Sequence, residues 1–227
     1  MKIKTLVLAT NNLNAVTHFY NKTLGFHIQN RSENLVSFQI GESILTFELN
    51  NEVEHPTYHY ALNIPANQIE AAKQWLSKRV TLIKDEKGND TIDLSHWNAH
   101  ALYFYDSVGN IGELIARHDL DNHAETDFSM ESIYAVSEIG LPVADVLGFK
   151  TVVQNHFDTP NYKSASAKFA ALGDENGLFI CVPLDRVWFP TVHLKAASFP
   201  VLVEIEGNRT ASLEYENYKI LTSTSDV

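Results

Sequence analysis

Tyr103-Phe104-Tyr105-Asp106-Ser107-Val108-Gly109-Asn110-Ile111-Gly112-Glu113-Leu114 spells a strand, a tight turn and a returning strand. Aromatic residues lead into Asp106, the Gly109-Asn110 pair suits a turn, and apolar residues resume at Ile111. The turn therefore delivers Glu113 onto a strand. Upstream, Tyr58-His59-Tyr60-Ala61-Leu62-Asn63-Ile64 is another strand pattern, with one amphipathic helix and a hairpin lying between the two. A fold that lays these strands over a hollow brings an imidazole and a carboxylate to one point. That point is a candidate metal or proton-transfer site.

Outward from this stretch the chain repeats itself. Ile3 to Thr10 reads as a buried strand, Asn12 as an N-cap, and Ala15, Val16, Phe19, Tyr20 and Leu24 recur at helical spacing up to Gly25. Strand patterns follow at 26–30, 35–40 and 43–49. The order strand, helix, strand, strand, strand over 3–50 then returns over 58–118, with Ile69, Ala72, Trp75 and Leu76 as the inward helix face. Residues 119–131 form an acidic linker, and 132–221 read as a divergent, partly degenerate second domain. There, Tyr134 to Val143 echoes the opening strand, Ala144 to Phe149 reads as too short for a helix, and 168–172 with 178–182 as a hairpin. Phe199 to Ile205 opens a fourth unit, and the polar tail from Thr222 reads as frayed.

A net charge of -11 leaves no basic stripe for nucleic acid, and no apolar run approaches membrane-spanning length. The first residues enter a strand pattern rather than a signal-peptide core, so the expected compartment is the cytoplasm. Cys181, the single cysteine, sits in an apolar run and is expected as a buried structural thiol.

The βαβββ repeat, Thr23-Leu24-Gly25-Phe26 and the stretch Tyr103 to Leu114 resemble the vicinal oxygen chelate superfamily of glyoxalase I, bleomycin resistance proteins and extradiol dioxygenases. Ser107 stands where the family turn carries proline, and the resemblance covers 3–118 but thins beyond 132. It implies an α+β fold of tandem βαβββ units forming curled mixed sheets. It also implies a divalent metal (Zn, Mn, Fe or Ni) held by the first and last strands of each unit, although bleomycin-binding relatives work without one. Carried over by position, His59, Glu113 and Glu48 are the expected metal ligands. Thr5 falls on the remaining ligand position and Glu138 on the first-strand position of the third unit, which offers no matching donor near Val182.

The implied function is a metal-dependent lyase, isomerase or ring-cleaving dioxygenase acting on a small molecule with vicinal oxygens. Glu113 or Glu48 would shuttle the proton, and His100, Tyr105, Asn63 and Thr5 would face the substrate. The alternative is a sequestering protein without catalysis. A homodimer is compatible with either. Strand parity is an independent check: Glu48, His59, Glu138 and Thr5 each lie opposite the apolar, helix-facing side of their strands. His18, His27, His55, His118 and His123 fall on helix or loop positions as solvated residues. The aromatic run Leu184 to Pro190 is expected to pack the two halves together rather than to close over a ligand.

Overall fold

The computed structural model describes residues 1–224 and builds them from four related units. The first holds β1 (Ile3–Thr10), α1 (Leu13–Thr17) running into a π-helical stretch (His18–Thr23), β2 (Ile28–Arg31), β3 (Leu35–Ile40) and β4 (Ser43–Leu49). The second holds β5 (His59–Ile64), α2 (Ile69–Ser77), β6 (Leu82–Ile83), β7 (Ile92–Leu94), β8 (Ala99–Tyr105) and β9 (Ile111–Arg117). The third holds β10 (Ala135–Val143), α3 (Val146–Phe157), β11 (Asn161–Ser166), β12 (Phe169–Asp174) and β13 (Gly177–Pro183). The fourth passes from β14 (Val201–Gly207) to β15 (Ala211–Tyr215) and β16 (Tyr218–Thr224) without a helix. Residues 225–227 of the expected polar tail lie outside the described residues.

In every unit the first strand runs parallel to the last: β1 with β4, β5 with β9, β10 with β13 and β14 with β16. The units then join edge to edge through their first strands. β5 pairs antiparallel with β10, and β1 antiparallel with β14. The second unit thus closes a curled sheet with the third, and the first with the fourth. The first two units, expected to share one cup, do not, because the free edge of β5 is taken by β10. The Ile3–Val136 strand pair stitches one curled sheet to the other, and Val136 N also donates to Ser43 Oγ at 2.9 Å.

Local chemistry explains the helices. Asn12 accepts a hydrogen bond from Ala15 N at 3.0 Å and starts α1, and Gly25, at φ +87°, turns the chain out after Leu24. α3 is a correction to the sequence reading, which ended the pattern at Gly148. Asp145 caps the helix by accepting from Gly148 N at 3.0 Å, so the glycine lies in its first turn and Phe149 and Val153 are buried beyond it. The acidic linker is strapped down rather than loose. Gln68 donates to Thr126 O at 2.6 Å and Asn67 to Ala124 O at 2.9 Å, fixing it to the start of α2.

The helix-bearing faces of both sheets share one apolar core, joining Leu6, Phe38 and Phe47 to Tyr60, Phe104 and Phe149. A second, smaller core lines the concave face of the second–third sheet, with Ala101, Ile111, Ile115 and Trp188. Cys181 is fully buried, and burial pushes its thiol far above the usual range, as expected of a structural cysteine.

The turn after β8 is held from inside. Asp106 accepts hydrogen bonds from Val108 N and Asn110 N at 2.9 Å and from Asn110 Nδ2 and Tyr20 Oη at 2.8 Å. Tyr20 Oη also contacts Tyr60 Oη, so one carboxylate ties the first helix to the second unit. None of these bonds uses a group that proline would supply, which is why Ser107 leaves the turn intact. Asp106→Ala strands several buried donors and is expected to cost about 3 kcal/mol in urea unfolding, with Asp106→Asn costing less.

Candidate functional site

β5, β9 and β10 lie side by side, and their cup-facing residues set the site. On β5, His59, Ala61 and Asn63 face the cup while Tyr60, Leu62 and Ile64 enter the helix-side core. Register places Ala61 between Glu113 of β9 and Glu138 of β10. His59 Nε2 stands 3.0 Å from Glu113 Oε2, with both side chains nearly buried. Four residues beyond Glu113 on β9, Arg117 donates from Nη2 to Glu138 Oε1, and its Nε and Nη2 both reach Ser137 Oγ at 3.4 Å. The floor is therefore two carboxylates and one imidazole, with the Arg117 guanidinium held behind Glu138.

Aromatic residues wall this floor. A cavity of ≈ 460 Å³ is lined by His59, Glu113 and Glu138 below, and by Tyr103, Trp97, Phe169, Trp188 and Phe189 around them, with Arg186, Asp93 and His96 among the remaining lining residues. Trp188 stacks edge-on against the His59 ring at 5.0 Å between centroids. It approaches so closely because Gly140 has no Cβ: one added there would lie 2.5 Å from the indole Cη2. Phe189 meets Tyr103 edge-on at 6.0 Å. The segment expected to pack the two halves instead roofs the cup, a correction that follows from the pairing of the second unit with the third.

Burial dominates the electrostatics. The Glu138 carboxyl is pushed up to about 7, first by loss of water, with the Glu113 charge adding and the Arg117 and His59 charges opposing. The Tyr103 hydroxyl is held well above its usual range by burial and then by the two carboxylates. His59 Nδ1 and Arg117 Nη1 are buried without a hydrogen-bond partner.

Of the residues expected at the site, the structure brings His59 and Glu113 together and leaves the others elsewhere. Glu48 is exposed on β4, opposite Ala9 and Leu35, in the first–fourth sheet. Thr5 lies in that sheet too, donating to Glu204 Oε2 at 3.3 Å. His100 has the wrong parity: Ala99, Ala101 and Tyr103 of β8 face the cup, while His100 points outward and meets His118 with 2.8 Å between ring nitrogens. Tyr105 lines a neighbouring crevice of ≈ 510 Å³ with Lys84, Pro190 and His193. Asn63 is buried on the cup face, donating to Asn176 O at 3.4 Å, but does not reach the cavity. Glu138, at a ligand position by sequence but outside the expected set, joins the site, and Arg117 stands behind it without a sequence expectation. Residues 113, 115 and 117 share a face, and a charge closing such an apolar strand was the available signal.

The superfamily resemblance implies a divalent metal, and these residues do not fit one. In the second unit the carboxylate sits opposite Ala61, two residues after His59; in the third, the position opposite Gly140, two after Glu138, is Ile180. His59 Nε2 is tied to Glu113, and Glu138 to a guanidinium. Among the described residues no group of three or more His, Cys, Asp or Glu is placed to hold a metal ion.

The family model for the glyoxalase/bleomycin resistance protein/dioxygenase superfamily matches residues 2–120. The crystal structure of a putative dioxygenase from Bacillus subtilis subsp. subtilis str. 168 superposes with a TM-score of 0.66 at 12% identity, covering 98% of this chain and 85% of that one. Glyoxalase I from Zea mays gives 0.60 at 14% identity, covering 97% and 91%. At these identities the likeness is one of fold. No curated protein matches the sequence.

Because Glu138 holds its proton more tightly folded than its ordinary value of 4.5, the stability it contributes is full below that value and is lost as pH rises through about 7. Between roughly pH 5 and pH 8 the wild type is expected to lose stability relative to Glu138→Gln, read from paired urea titrations.

Proposed function

The chain belongs to the glyoxalase/bleomycin resistance protein/dioxygenase superfamily, and we propose that within it this protein is an enzyme moving a proton on a small molecule bound in the second–third cup. The observation that carries this reading is the state of His59. Its Nε2 is engaged by Glu113 at 3.0 Å while its Nδ1 is buried without a partner, and the residue lines a ≈ 460 Å³ cavity. With Nε2–H donated to a carboxylate, the lone pair rests on Nδ1, which is the atom left to take a proton. Glu113 orients the ring and stabilises the imidazolium that forms.

The lining describes the substrate in outline. Aromatic walls suit a planar or apolar body, and a floor rich in carboxylates favours a polar end carrying hydroxyl or amine donors. Ring-cleaving non-haem iron chemistry uses two imidazoles and one carboxylate, whereas this cup supplies one imidazole and two carboxylates. The lyase or isomerase branch is the better fit. No helix among the described residues is long and apolar enough to cross a membrane.

The test is a thermal-shift screen of planar hydroxyl- and amine-bearing molecules, followed by NMR measurement of solvent deuterium exchange at the acidic position of each hit. Wild type is expected to catalyse exchange, and His59→Ala and Glu113→Gln to lose it by roughly 10²-fold or more while still binding. Tight binding with no exchange for any hit would replace this reading with sequestration.

A further inference from the structure

We propose that Arg117 is the resident cation of this cup, its guanidinium holding Glu138 from behind the cavity lining so that this carboxylate is not free for a divalent ion, and that the site works without a metal. The inference concerns the cup identified above and goes beyond the proton-transfer reading, since a base at His59 is compatible with either cation.

The geometry comes first. Arg117 lies on the same strand face as Glu113, its side chain shows 0% exposure, and it joins Glu138 directly. Its guanidinium lies 5.5 Å from the Trp97 ring centroid and 5.8 Å from that of Tyr162. These aromatic neighbours complement a delocalised cation. Glu138, which the strand register makes the third donor after His59 and Glu113, is thereby occupied, and the fourth position is Ile180.

Charge points the same way. Arg117 already sets a positive charge against Glu138, and Glu113 is engaged by the His59 ring. A divalent ion added to this set would share a buried carboxylate with a guanidinium, placing like charges together where water cannot screen them. A covalently attached cation also needs no loading, so neither His59 nor Glu113 is drawn away to coordinate it.

The experiment measures metal, not turnover, so its failure is separate from failure of the proton-transfer reading. Every chain tested carries His100→Ala and His118→Ala, because that exposed imidazole pair could bind metal by itself. The otherwise wild-type chain is expected to hold no stoichiometric metal by elemental analysis and to show no melting shift with Mn²⁺, Ni²⁺ or Zn²⁺. Arg117→Met frees Glu138 and is expected to bind Mn²⁺ or Ni²⁺ roughly tenfold or more tighter by calorimetry, a gain abolished by adding Glu138→Gln. About one metal per chain in the wild-type cup, lost on His59→Ala, overturns the proposal, as does a folded Arg117→Met with no gain. Should Arg117→Met not fold, the wild-type metal content and its response to His59→Ala decide the matter alone.

Discussion

β5 and β10 meet edge to edge with Glu138 opposite Ala61, and on this antiparallel contact depends which side chains share a cup. Parallel pairing within each unit leaves the first strand with one free edge, and backbone N–H and C=O groups along it must find partners. β5 satisfies its edge with β10 and β1 satisfies its own with β14. Had β5 joined β1, His59 and Glu113 would face Thr5 and Glu48 across an open sheet. Joined to β10, they face Glu138 with Arg117 beside it, and the chain completes the cup from its own units.

That choice brings four ionisable groups into a space with little water. A buried charge is tolerated when paired and hydrogen-bonded, and here each one is matched: imidazole to carboxylate, guanidinium to carboxylate. The matching also organises the site. Glu113 sets the orientation of the His59 ring, and Arg117 sets that of Glu138. The rigid aromatic packing of Trp188 on His59, permitted by Gly140, keeps the ring where the carboxylate can hold it.

Much of this was legible in the sequence because it is local. Strand parity put His59 and Glu138 on the side away from the helices, and the Asp106 turn placed Glu113 on the neighbouring strand. The partner of each unit was not legible: a strand's free edge is backbone, identical in every residue, so no side-chain pattern near β5 distinguishes β1 from β10. Glu48 and Thr5 were misassigned for that reason alone, since their parity was right for a cup that closes elsewhere. His100 was a different error, one of phase, because Ala99 and Ala101 rather than His100 face inward. Gly148 hid α3 by resembling the Gly25 helix stop, and Asp145 was the cue that it lay at a helix start.

The two cups then diverge in a way their common topology does not require. In the first–fourth sheet, Thr5 and Glu204 are only partly buried and Glu48 is exposed, so the two carboxylates are screened by solvent. Over the second–third sheet, the connection from β13 to β14 folds back as a roof, held by the Trp188 N to Leu194 O and Ala196 N to Arg186 O hydrogen bonds. Shielding from water strengthens the polar contacts beneath it, the His59–Glu113 pair among them. The residues between the third and fourth units are thus what separates a roofed cup from an open one built on the same strands.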